Sequence, residues 1–229
     1  MQKPKPGEYV AVAAIIGVMA AIIYPFASRF GPHRKRGAIC ADHMRVLGIA
    51  FSQYAQDYDR TLPQATADDG RYTWRSAIDI YVRGTRSIYM CYDRHENSDP
   101  NTAIKGSDGF PNSYAVNAAS GDGQSRGLFS TTQASLALTD VPSPESMIAA
   151  CEVQDTLPPV FDIDAVRADP NHPALYSGHG GTSAYLFADG HTDLLSPAET
   201  VRGGENAWYV DMTKPLTASG HAVLFQDRS

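Results

Sequence analysis

From Tyr9 to Phe26 the chain reads YVAVAAIIGVMAAIIYPF, an uncharged and almost wholly apolar run with Glu8 in front of it and Arg29, Arg34, Lys35 and Arg36 behind. As a helix rising about 1.5 Å per residue it extends roughly 27 Å, close to the ~30 Å hydrocarbon core of a bilayer. A helix apolar on every side leaves no face for water, so it requires a sheath of lipid or of other helices. A secretory signal peptide fits less well: its apolar core is about 7–15 residues, and Tyr24-Pro25-Phe26 offers no small-residue cleavage site. The chain therefore divides into an N-terminal hydrophobic segment, residues 1–30, expected to be a membrane or filament-core helix, and a globular remainder, residues 31–229.

That remainder has the make-up of a soluble domain, in a chain of 229 residues that is 43% hydrophobic and 19% charged, and its length suffices for one real core. Charge is unevenly spread. Through Arg45 the bases Lys3, Lys5, Arg29, Arg34, Lys35, Arg36 and Arg45 face only Glu8 and Asp42, whereas the whole chain carries 19 bases against 25 acids. The body is thus strongly acidic, which argues against nucleic acid as a partner, since phosphate binding needs a basic footprint. The basic cluster behind the apolar run suits lipid headgroups. Counted by the positive-inside rule, that flank taken alone places the large domain in the cytoplasm. Three cysteines leave the compartment open, because two can bridge while the third packs as a small hydrophobe.

Gly31-Pro32 interrupts the helical pattern, and a second helix is expected soon afterwards. Over GAICADHMRVLGIAFSQYAQDYDRTLP the residues Cys40, Met44, Leu47, Phe51, Tyr54 and Tyr58 recur every three or four positions, while Asp42, Arg45, Gln53, Gln56 and Asp57 face away. This is one buried stripe, ended by Pro63. Trp74 to Val82 is an apolar island suited to a short helix. Ser113 to Val116, Leu136 to Leu138 and Met147 to Val153 read as strands. In SAYLFADGHTDLL, residues 183–195, Asp189-Gly190 between two apolar runs signals a hairpin with a two-residue turn. That register sets Phe187 opposite Thr192 and Tyr185 opposite Leu194. Leu186 and Ala184 then share one face and Phe187 and Tyr185 the other, as in a strand covered on both sides near the middle of a sheet. The fold class expected is α+β: a long N-terminal hydrophobic helix, reaching toward Tyr58, packed on an antiparallel β-sheet.

Three blocks together resemble the type IV pilin and pseudopilin superfamily, in particular the group with a C-terminal histidine, nine residues and then Asp-Gly. Glu8 with the run that ends at Tyr24-Pro25 is similar to the family's N-terminal segment. CADHMRVLGIAFSQYAQDYDRTLP, residues 40–63, resembles the group's cysteine-led block, and His179 followed after nine residues by Asp189-Gly190 fits the C-terminal motif. Ser113-Tyr114 to Asn117 resembles a short block before it. The resemblance implies a structural subunit of a pilus-like filament or a type II secretion-type pseudopilus. Such a subunit is anchored in the inner membrane before assembly, then extracytoplasmic or at the cell surface, with copies of itself and the pilus or secretion assembly machinery as partners. Glu8 would pair with a neighbouring subunit's amino terminus, since a carboxylate at a membrane edge needs a positive partner, and Val10, Val12, Ile15, Ile16, Met19, Ile22 and Ile23 would form the assembly surface. Cys40 and Cys91 resemble the group's two cysteines and would form a disulfide, which implies export and leaves Cys151 a buried thiol. One departure stands out: aligned on Glu8 and Tyr24-Pro25, the leader cleavage site falls at Lys3-Pro4, where neither residue fits.

Chemistry is weakly signalled. His179, Asp189 and His191 are residue types that suit zinc, but ten residues of strand would hold His179 and Asp189 some 33 Å apart unless the chain reverses. The reading preferred is that His179 caps or packs against the loop while Asp189-Gly190 makes the turn, and no metal ligand is assigned. Asp162, Asp164 and Asp169 lack the glycine and the terminal glutamate of a calcium loop. No nucleophile elbow, HExxH or phosphate loop appears, so no catalytic residue and no cofactor is assigned. The runner-up function is a membrane-anchored extracytoplasmic binding protein whose helix merely holds its domain to the membrane.

Overall fold

The computed structural model describes residues 15–21, 32–91, 105–120, 126–155, 157–166 and 174–225. Within the apolar run, residues 15–21 form a helix, α1. The longest helix among the described residues, α2 (Pro32–Asp57), starts at Pro32 itself, a first-turn position where the missing N–H is no loss and the fixed φ is already helical. Cys40, Met44, Leu47 and Phe51 are buried along it, Tyr54 is half-buried, and Tyr58, just beyond its end, is exposed and stacked on Tyr54. Short elements follow: β1 (Thr66–Ala67) pairs with β2 (Tyr72–Thr73), and α3 (Trp74–Ile78) is capped by the Thr73 side chain, which accepts from the Arg75 amide.

The central sheet has five strands: β3 (Tyr114–Asn117), β4 (Ile148–Glu152), β5 (Val160–Phe161), β6 (Ser183–Phe187) and β7 (Thr192–Leu195), in spatial order β5-β3-β4-β6-β7. One face packs on α2 through Tyr114, Val116, Ala149, Ala150, Ala184 and Leu186. The other face carries Ala115, Ile148, Cys151, Tyr185 and Phe187. It is closed by the C-terminal segment, in which β8 (Val201–Arg202) pairs with β9 (Glu205–Asn206), Trp208 and Tyr209 are fully buried, and α4 (Ala218–Leu224) adds Val223 and Leu224. At roughly 1.5–3 kcal/mol for each large apolar side chain fully buried, both faces contribute substantially to folding.

Several expectations are corrected. The helix on the sheet is not the hydrophobic N-terminal one: neither core contains a residue of α1, and no described helix is long and apolar enough to cross a membrane. Packing on a sheet takes a helix with one apolar stripe and one wettable face, and α2 has both whereas the Tyr9 to Phe26 run does not. The sheet is mixed rather than antiparallel, because after β4 the chain passes β3 and lays β5 parallel along its far edge. Leu136 to Leu138 is not a strand: Ala137 forms an isolated bridge with Thr61, and Leu138–Asp140 is a 3-10 turn.

The 183–195 hairpin pairs one residue out of the expected register, with Leu186 opposite Thr192 and Tyr185 opposite Asp193. Gly190, at φ 91°, donates to the Phe187 carbonyl, and Phe187 donates to that of His191. This is a three-residue loop with glycine in the left-handed position of a bulge, in place of the two-residue turn. Amides of the loop also reach outside it, Ala188 to the Met147 carbonyl and Asp189 to that of Pro144.

Candidate functional site

Four ligand-type side chains converge under α2, each from a different part of the chain. Cys40 comes from the helix, Cys91 from the residues just after the 3-10 turn Arg86–Tyr89, Glu152 from the end of β4, and His179 from the loop before β6. All four are 0% exposed, and their donor atoms all lie within 4.8 Å of one another. Sγ of Cys40 and Cys91 are 2.9 Å apart, His179 Nε2 is 3.6 Å from Cys91 Sγ and 3.1 Å from Glu152 Oε1, and Glu152 Oε2 accepts from the Ala184 amide at 2.7 Å. The Tyr114 hydroxyl donates to the carbonyl of Met90, the residue before Cys91, at 3.5 Å.

The sequence places these groups by strand parity and helix period. Glu152 follows Cys151, which points to the opposite face, and it sits directly across from Tyr114 in the β3–β4 ladder. Cys40 opens the buried stripe of α2. A buried carboxylate is costly without a partner, and here it has an imidazole and a backbone amide. Burial opposes a charge on His179, but its hydrogen bonds to Cys91 and Glu152 push its pKa up to about 10. The bond to Cys40, together with burial, pushes the Cys91 thiol far above its ordinary range.

The two glycines of α2 explain why the motif histidine and the motif turn share one helix. A Cβ at Gly37 would stand 3.0 Å from Cβ and Cγ of His179, and a Cβ at Gly48 would stand 2.8 Å from Cδ1 of Leu186 and 3.4 Å from the Gly190 backbone. Gly37 and Gly48 are about three helical turns apart and so lie on the same face. The two ends of the His179 to Gly190 motif therefore dock against two bare patches of one helix. Tyr176 adds an edge-on ring contact to His179 at 5.3 Å.

The structure separates the other residues considered for metal binding. Asp189 and His191 pair with each other at the exposed hairpin tip, 2.6 Å apart, while His179 is buried in the cluster. Asp162 accepts from the Ser120 and Asp164 amides, and Asp164 accepts from the Tyr209 and Thr217 hydroxyls, so these carboxylates are engaged in loop hydrogen bonds. Asp169 lies outside the described residues, as do Glu8, Val10, Val12, Ile22 and Ile23 of the assembly set. Ile15, Ile16 and Met19 lie on α1 and are all more than half exposed. Cys40 and Cys91, the pair for which the resemblance implies a disulfide, are brought together as free thiols, and Cys151 lies in the other core. Glu152 was missed by sequence reasoning, although an acid ending the apolar stretch Met147 to Cys151 was a visible signal. Arg75 was missed too; it is buried with Asp108 in a two-pronged ion pair.

Compared with family models, curated proteins and solved structures, the chain has no match.

Proposed function

We propose that this protein is a structural subunit of the type IV pilus-like or secretion-pseudopilus class, and that it associates with copies of itself through its apolar N-terminal segment. The observation that carries the reading is α1. Its Ile15, Ile16, Val18 and Met19 are each 55–62% exposed, on a stretch without a charged residue. Contiguous apolar surface of this kind marks a surface meant to be covered, and among the described residues no part of the globular domain covers it. Glu8, at the leading edge of the run, supplies register. Smooth apolar helices slide past one another at little cost, whereas a carboxylate that needs one positive partner penalises wrong offsets.

The test is to express the full chain beside Glu8→Ala and Ile16→Asp, measure membrane levels by fractionation, and count filaments by electron microscopy. Wild type should form filaments, Glu8→Ala should insert but assemble poorly, and Ile16→Asp should do neither. Wild-type protein that stays monomeric in detergent and on membranes would overturn the filament reading in favour of an anchored binding protein.

A further inference from the structure

We propose that Cys40, Cys91, Glu152 and His179 form a tetrahedral binding site for a divalent cation of the zinc class. Two thiolates, an imidazole and one carboxylate are the donor set such an ion takes, whereas magnesium and calcium take oxygen ligands. The spacing fits. Around a tetrahedral zinc with bonds of about 2.0–2.3 Å, sulfur and nitrogen ligands stand about 3.6 Å apart and nitrogen and oxygen about 3.3 Å. The structure has 3.6 Å between Cys91 Sγ and His179 Nε2, and 3.1 Å between His179 Nε2 and Glu152 Oε1. The two sulfurs, 2.9 Å apart as thiols, must separate by about 1 Å to reach a tetrahedral edge, which is the direction two like-charged thiolates push, and the other donor pairs all lie within 4.8 Å.

The surroundings are those of a built site. The Ala184 amide fixes Glu152 Oε2 and leaves Oε1 facing the cluster, the Tyr114 hydroxyl donates to the Met90 carbonyl beside Cys91, and the His179 ring lies against Gly37. Such outer contacts orient ligands and sharpen affinity. On binding, both thiol protons and any proton on His179 Nε2 leave to solvent, no electron moves, and four bonds to the ion form. With four buried protein ligands and no open position, the ion is structural. It ties α2, the segment at Cys91, β4 and the loop before β6 to one point.

A disulfide between Cys40 and Cys91 is the competing use of the same sulfurs, and the experiment separates the two. Full-length protein, purified with reductant and checked for folding by circular dichroism, is titrated with zinc and, separately, with cobalt. We expect one ion per chain, with cobalt producing thiolate charge-transfer absorption and the intense visible bands of a tetrahedral site. Cys151→Ser should leave both unchanged and Cys91→Ser should abolish them. If Cys91→Ser fails to fold, the wild-type cobalt spectrum decides by itself, because only thiolate ligation gives the charge-transfer band. Folded, reduced wild type that takes up no stoichiometric zinc, or whose cobalt spectrum lacks thiolate bands, would overturn the proposal. So would protein whose two cysteines are already bonded when isolated in a thiol-blocking buffer.

Discussion

Arg75 is a fully buried guanidinium whose fork grips Asp108 at 2.8 Å twice and whose Nη1 donates to the Pro111 carbonyl and the Asn112 side chain. Burial lowers its pKa and Asp108 opposes that shift. Removing one partner of such a pair strands the other charge away from water, at about 3–5 kcal/mol, whereas replacing both with apolar groups of similar volume is often close to neutral. Arg75→Met should therefore lose about that much stability in urea unfolding, and Arg75→Met combined with Asp108→Leu should recover most of it. An additive double variant would show that the pair is not what holds this corner. Nothing local in the sequence announces the pairing, since the partners are 33 residues apart and the acid nearest to Arg75 within the apolar island Trp74 to Val82 is Asp79, not Asp108. Glu152 and His179 were illegible as partners for the same reason. Periodicity gives the face on which a side chain lies, and it does not give which distant segment shares that face.

Helix and strand placement followed the patterns that burial imposes. The three-and-four spacing from Cys40 to Tyr54 located the helix that packs, and period two divided Ala184 and Leu186 from Tyr185 and Phe187 between the two cores. Register escaped because it depends on non-local bonds: Asp189-Gly190 signals a turn, but the Pro144 and Met147 carbonyls hold the longer loop. The docking of α2 yields a comparison of two glycines. Alanine gains about 1 kcal/mol of helix propensity over glycine at either position. At Gly48 the closest obstacle is the tip of the Leu186 side chain, which can swing aside, while at Gly37 it is the base of the His179 ring. Gly48→Ala should therefore be nearly neutral in thermal unfolding, and Gly37→Ala should cost about 1–3 kcal/mol, the usual range for overpacking. The reverse order would mean that the helix does not rest on His179.

Across the whole molecule, the sheet is covered on both faces by residues that begin at Cys40, and neither core contains a residue of α1. The long hydrophobic helix expected from the sequence was assigned two tasks, self-association and packing on the sheet. In the structure the packing belongs to α2, because a sheet-covering helix must keep one face wettable and the Tyr9 to Phe26 run has no such face. Folding and association should then be separable. A fragment lacking residues 1–31 should unfold within about 2 °C of the full chain, equivalent to under ~1 kcal/mol for a domain of this size. The same fragment should leave the membrane fraction and sediment as a monomer, while the full chain associates. A fragment that fails to fold would place part of the core's cover in the N-terminal segment. A folded fragment that still assembles would move self-association onto the globular domain and remove α1 from the mechanism.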